Sequence, residues 1–446
     1  MVDGPAESSY TVSEDITVPH IIPRSEHPIS RKMIDEEALK ILYRLSRHGF
    51  LAYLVGGSVR DLLLGRTPKD FDVATNAHPH EIKSLFRNSR IIGRRFRLVH
   101  IFFKGGKVVE VSTFRSHSEF EETENEEGEI IRTERFGTPE EDALRRDITI
   151  NGLFYNIADF SIIDCVGGMA DLQRRIIRTI GDPNERFKQD PVRMIRVLRH
   201  AARTGFTIDE QTYQAIIQHR DEIKKCSPSR VRDEFLRDLK EGVAQPSLHL
   251  MLQTGLLFSL FPDLLRALGD RNTAKEKDQQ FFLSLLGLVD HLAKMGRTAP
   301  ESILVACFLA PFVRAVTPEH PFLGERERNS YALQTIRWAL QQVTGPYSFP
   351  KATREMACQV LIAQSTLKKS IDRGVIPKRL RTKRYLHEAV LFFGIESQAR
   401  GEKVPRIIRN VVPSDLLPWW PHEFKRRRRR SGRRISSTSS TNPEET

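Results

Sequence analysis

The sequence predicts an α+β protein: a small mixed β-sheet in a head, an all-helical neck and body behind it, and a disordered basic tail. Three observations predict it. Strand and helix signals alternate between Asp72 and Asn151, strand signals thin out from about Pro191 onward, and the last 22 residues combine an arginine block with Ser, Thr, Asn and Pro, which cannot bury a core. A chain of 446 residues is long enough for several structural units. The expected division is a flexible leader over 1–30, the head over 31–165, the neck over 166–255, the body over 256–420 and the tail over 421–446.

In order along the chain, residues 1–30 are rich in Pro, Ser and acidic groups and show little periodicity. A helix is expected from near Ser30, with Leu39, Ile41, Leu42 and Leu45 on its packed face. Phe50 to Val55 is a short apolar, β-prone run that stops at Gly56-Gly57, where a backbone can approach a phosphate closely. Val59, Leu62 and Leu63 then fall at helical spacing, with Ser58 as the expected N-cap. Pro79–Phe86 reads as a helix, Arg97–Phe103 as a strand, Gly105-Gly106 as a turn and Val108–Phe114 as the antiparallel partner. Ser116 to Glu134 is acidic and poor in apolar residues, so a mobile excursion is expected there. Further on, helices are expected over 227–239, 247–257, 279–295, 301–315, 330–343 and 352–364.

Composition narrows the function. No apolar run approaches bilayer length, and the N-terminus lacks the basic patch and apolar segment of a signal peptide, which predicts a cytoplasmic protein without a membrane partner. Cys165, Cys226, Cys307 and Cys358 have no Cys-x-x-Cys spacing, so they read as reduced packing residues. The net charge of +13 points to a polyanion, and eight of those charges lie in ten residues: Lys425, Arg426, Arg427, Arg428, Arg429, Arg430, Arg433 and Arg434. That block reads as a sequence-independent, salt-sensitive tether.

The chemistry-bearing core is Gly56-Gly57-Ser58-Val59-Arg60-Asp61 followed by Asp70-Phe71-Asp72. In a strand, Asp70 and Asp72 would project to one side roughly 6.5 to 7 Å apart, a pair suited to divalent cations. This order resembles the polymerase-β-like nucleotidyltransferases, in the branch holding tRNA CCA-adding enzymes and bacterial poly(A) polymerases. Three further stretches carry the resemblance: Arg145-Arg146-Asp147, Gln189-Asp190-Pro191-Val192-Arg193 with Gln189 in place of the family's Glu, and Ile91 to Ile101 containing Arg94, Arg95 and Arg97. The last of these matches the signature of the poly(A) polymerases.

The resemblance implies an enzyme that adds AMP from ATP to RNA 3′ ends without a template, promoting RNA turnover. It implies Mg2+ in a two-metal site, with Mn2+ as an alternative, held by Asp70 and Asp72. A third carboxylate is expected, with Asp147 and Glu110 as candidates; the Arg-Arg-Asp match favours Asp147, which acts on the ribose if not on metal. Nucleotide binding is assigned to Gly56, Gly57, Arg60, Arg146, Asp190, Arg193, Arg196 and Arg199, the last four lying at helical spacing on one ridge. RNA binding is assigned to Arg94, Arg95, Arg97 and Arg426 to Arg430. A monomer is expected, with RNA-degradation proteins as partners. The alternatives are a CCA-adding enzyme and, in another class, a non-catalytic RNA-binding protein on the same scaffold.

Overall fold

The computed structural model describes residues 18–93, 97–124, 130–269, 275–316, 325–372 and 375–404. The head opens with β1 (His20–Ile22), then α1 (Glu36–Arg47), β2 (Ala52–Val55), α2 (Gly57–Leu63), β3 (Asp72–Thr75), α3 (Pro79–Leu85), β4 (Ser89–Ile92), β5 (Leu98–Phe102) and β6 (Val108–Thr113). It continues through β7 (Arg115–Glu124), β8 (Ile130–Phe136), α4 (Pro139–Leu144), β9 (Leu153–Asn156) and β10 (Ile162–Asp164). Eight strands form one mixed sheet in the order β1-β10-β9-β2-β3-β6-β5-β4. Only β3 and β6 run parallel; the other neighbours are antiparallel. α1 closes one face of the sheet with Ala38, Ile41, Leu42 and Leu45. The acidic N-cap Asp35 accepts from the backbone N–H of Glu37 and Ala38, which fixes the helix start at Glu36, six residues later than Ser30.

Two expectations for the head are corrected. Residues 20–30 are not a leader: β1 pairs with β10, and Ile22, His27 and Ile29 are buried. A three-residue strand among prolines gives too short a pattern to read, and its docking comes from β10, some 140 residues away in sequence. Within the acidic stretch, residues 116–124 and 130–134 belong to the antiparallel strands β7 and β8. A two-stranded ribbon needs no apolar face to satisfy its backbone, so the lack of apolar residues does not exclude strands.

Behind the head come α5 (Gly168–Arg174), β11 (Ile176–Ile177), α6 (Pro183–Gln189), α7 (Val192–Thr204), β12 (Thr207–Ile208), α8 (Glu210–His219), α9 (Pro228–Lys240) and α10 (Ala244–Thr254). The neck is therefore not purely helical, since β11 and β12 form a two-residue parallel ladder. The body holds α11 (Leu256–Leu260), α12 (Leu265–Leu268), α13 (Glu276–Lys294), α14 (Glu301–Val316), α15 (Glu325–Thr344), α16 (Lys351–Asp372), α17 (Lys378–Arg381) and α18 (Leu386–Ala399). One apolar core runs from Ile148 through the neck to Val404. Ile148 and Ile150, which flank the Arg-Arg-Asp segment, belong to this helical core rather than to the head's, so that segment lies at the seam between the two. Among the described residues no helix is long and apolar enough to cross a membrane.

Candidate functional site

A cleft of about 580 Å³ lies at that seam, lined from the head by Gly57, Asp70, Asp72 and Glu110 and from the neck by Asp190 and Arg193. β2 delivers the chain to its floor. At its end Gly56 takes φ +70°, a conformation glycine adopts without strain, and a Cβ there would meet Arg146 Nη1 at 3.2 Å. Gly56 itself is the N-cap of α2; the expected cap, Ser58, instead donates its hydroxyl to Val55 O at 2.8 Å.

β3 begins at Asp72, paired with Val55 at the last rung of β2. Beyond that rung β2 turns into α2 and offers no partner, so Asp70 lies outside the strand, contrary to the expected strand pair, although both carboxylates line the same cleft. The parallel register of Val73 with Val111 sets Glu110 beside Asp72 on the neighbouring strand. On its other side Glu110 meets His100 Nε2 of β5 at 3.4 Å. Asp72 keeps contact with solvent at the cleft mouth but is crowded by protein. That crowding first, then Glu110, pushes its carboxyl up to about 6 against the opposing pull of Arg146, and Asp70 adds to the push. Asp72 thus shares the cleft mouth with two further carboxylates, those of Asp70 and Glu110. Among the described residues no three His, Cys, Asp or Glu side chains complete a metal cage. Magnesium needs only one or two carboxylates and fills its shell with water and phosphate oxygens, so the residues present fit it.

Asp147 sits elsewhere in the cleft. It is buried, accepts from Arg196 Nε at 2.8 Å and from its neighbour's N–H, Ile148 N, at 2.9 Å. Burial alone would raise its carboxyl, but the Arg196 charge overrides that and holds it well below the usual carboxylate range. The structure thus ties Asp147 to the neck rather than grouping it with Asp70 and Asp72. Its segment is held in turn by α5: Thr149 Oγ1 donates to Asp171 at 2.8 Å, and Gly168 packs so closely that a Cβ would come within 2.4 Å of Thr149 O.

The polar face of α7 fastens head to neck. Arg193 donates to the carbonyls of Arg145 and Arg146 at 3.0 and 3.3 Å, and Arg186 of α6 to those of Leu144 and Arg146 at 3.1 and 2.9 Å. These cations meet the C-terminal end of α4, where the helix dipole favours them. Arg203 reaches Asp61 at 2.8 Å. Of the expected ridge, Arg193, Arg196 and Arg199 lie on α7, with two corrections: Asp190 precedes that helix, at the C-terminal cap of α6, and Arg199 is buried with its guanidinium taken by Glu234 and Asp238 of α9, leaving it no fork for a phosphate. Arg60 is likewise buried, donating to Asp61 at 2.9 Å, Asn151 Oδ1 at 2.7 Å and His200 Nδ1 at 3.3 Å. Burial pushes His200 well below its usual value, which keeps it neutral and able to accept from Arg60.

Arg146 is held by Asp142 at 2.9 Å and lies over the Phe154 ring at 5.0 Å, facing the glycine bend. Asp190 ends α6. One of its oxygens accepts from Arg230 of α9 at 3.0 Å, while Oδ1 is buried with no hydrogen-bond partner. Arg97 stands exposed at the start of β5. Arg94, Arg95 and Arg426 to Arg430 lie outside the described residues. Sequence reasoning missed Arg186, Arg230, Asn151 and His200; only His200 had a usable signal, four residues after Arg196 on the same helix face.

Comparison with known proteins accords with this geometry. Residues 52–178 match the family described as the poly A polymerase head domain, and residues 205–268 match one described as a probable RNA and SrmB-binding site of polymerase A. Poly(A) polymerase I of Salmonella typhi is 48% identical over 256 residues, 56% of this chain and 55% of that protein, so the chain spans about half the length of that relative. Poly(A) polymerase I of Haemophilus influenzae is 38% identical over 323 residues, 70% of each chain. Among solved structures, the Bacillus stearothermophilus CCA-adding enzyme in complex with CTP superposes with a TM-score of 0.57 at 26% identity, covering 88% of this chain and 81% of that one.

Proposed function

Because the chain belongs to the nucleotidyltransferase family that holds poly(A) polymerase I and the CCA-adding enzymes, we propose that it transfers AMP from ATP to RNA 3′ ends without a template. The observation that carries this reading is Asp190. One carboxylate oxygen is held by Arg230, and the other, buried without a hydrogen-bond partner, belongs to a side chain that lines the cleft together with Arg193. An acceptor next to a donor matches the amino group and ring nitrogen on the pairing edge of adenine. Cytosine offers the same order, and the 48% identity to a poly(A) polymerase I supports adenine over it.

In this reading the base lies against Asp190 and Arg193, and the triphosphate runs toward the Gly56-Gly57 bend and Arg146. Asp70, Asp72 and Glu110 would hold Mg2+, or Mn2+ in its place, which when bound lowers the cost of developing charge on the attacking and leaving oxygens. The RNA 3′ oxygen attacks the α-phosphorus in line. Its bond to phosphorus forms as the bond to the β-phosphate oxygen breaks, pyrophosphate leaves, and the hydroxyl proton passes to solvent. Glu110 is the third carboxylate in this scheme, and Asp147 positions Arg196 rather than touching the cation.

The test offers ATP and CTP singly, on an unstructured RNA and on a tRNA lacking its CCA end. The expected outcome is repeated AMP addition to the unstructured RNA with no CTP incorporation. Addition of CMP to the tRNA would mark a CCA-adding enzyme instead, and RNA binding without any addition would mark a non-catalytic scaffold.

A further inference from the structure

The net charge of +13 is concentrated in two stretches. Eight of the charges fall in residues 425–434, and the remaining five equal the contribution of Lys378, Arg379, Arg381, Lys383 and Arg384, a seven-residue stretch without an acidic residue. Outside these two stretches, basic and acidic residues balance. The first lies beyond the described residues. The second is built into the body.

Ile376, Leu380 and Leu386 anchor this stretch in the helical core. Between the anchors the backbone is closed by tight turns: Leu380 N donates to Pro377 O at 2.9 Å, Lys383 N to Leu380 O at 3.1 Å and Leu386 N to Lys383 O at 3.1 Å. With the apolar side chains turned inward, all five cations stand exposed. Arg381 Nε donates to Ile376 O at 3.0 Å and so helps hold the turn. Some other basic residues of the body meet carboxylates, as in Arg337 with Glu355 and Arg400 with Glu396. Lys378, Arg379, Lys383 and Arg384 pair with no described acidic residue.

Four unpaired cations on a rigid turn repel one another, and that cost is relieved when a polyanion neutralises them and releases its counterions. We propose that residues 378–384 form a phosphate-binding ridge for the RNA strand upstream of its 3′ end, a contact separate from the cleft. This rests on the reading that the chain extends RNA. A strand that advances one nucleotide at each addition must be held by contacts that do not read its bases. Lysine and arginine on phosphate meet that condition, because backbone contacts carry no sequence information.

The test uses the full chain and a variant carrying Lys378→Ser, Arg379→Ser, Lys383→Ser and Arg384→Ser, with Arg381 left in place to keep the turn. Affinity for a long unstructured RNA at low salt should fall at least about tenfold, and the slope of log affinity against log salt should shrink by about 3 for four lost phosphate contacts. The rate of AMP addition at saturating RNA and the KM for ATP should stay as in the wild type. A charge-preserving variant with Lys378→Arg, Arg379→Lys, Lys383→Arg and Arg384→Lys should bind RNA as the wild type does. Unchanged affinity and slope in the serine variant would overturn the ridge, as would a loss seen only on anionic phospholipid vesicles with RNA binding intact. Because RNA binding is read directly, failure of the wild type to add AMP would remove the proposed activity while leaving the ridge separately decided.

Discussion

Replacing Asp72 by Asn is expected to lower AMP addition by at least about 10³-fold at saturating ATP and RNA, since it removes charge from the place where transition-state charge must be balanced. The fold should tolerate the change. Asp72 lies at the cleft mouth, it is the first residue of its strand, and its neighbours Glu110 and Asp70 both disfavour its charge, so an uncharged isostere relieves local repulsion. The variant should therefore unfold at a denaturant concentration equal to or above the wild type's and bind RNA with unchanged affinity in a filter assay. Activity within tenfold of the wild type would remove Asp72 from the chemistry. Loss of RNA binding together with activity would mark it as a structural residue.

The second large effect is expected at Arg196. Replacing it by Ala leaves the buried Asp147 without its cation; breaking a buried pair costs about 3–5 kcal/mol, and the partial exposure of Arg196 makes that the upper end of the expected loss. Urea unfolding followed by a probe in the head or neck checks this. Replacing Asp147 by Asn in the same background should recover part of the loss, because the stranded charge is then gone. The pH dependence has a definite sign. Asp147's folded value lies below its unfolded one, so its contribution is complete above about pH 4, the ordinary aspartate range, and is lost as pH falls toward the folded value. The stability gap between the wild type and Arg196→Ala should be widest near neutrality and narrow in acid. A gap that is small at pH 7, or that widens in acid, contradicts the pairing.

How far the sequence could be read depended on how local each cause is. The division into a mixed-sheet head and helical units follows from periodicity, which is local, and β2, β5, β6, α3 and α13 to α16 lie where the apolar patterns put them, whereas α18 was not anticipated. β1 escaped because its partner is distant, and the β7–β8 pair escaped because its sequence is acidic and carries no apolar alternation. At the site, Asp70, Asp72, Asp190 and Arg193 were legible as motifs, and all four line the cleft. Their allocation was not. Whether a buried arginine faces a ligand or a carboxylate depends on what packs against it, and the carboxylates that take Arg199 come from α9, about 35 to 40 residues further along the chain. The choice between Asp147 and Glu110 was open for the same reason: it turns on the parallel register of β3 with β6, a non-local pairing that no short window contains.

The account depends most on that register, which places Glu110 with Asp72 and leaves Asp147 to Arg196. The measurement that tests it most directly is the single-turnover rate of AMP addition by Glu110→Gln at saturating ATP and RNA. A fall comparable to that of Asp72→Asn, in a protein that unfolds and binds RNA as the wild type does, is the predicted result; a wild-type rate would contradict it.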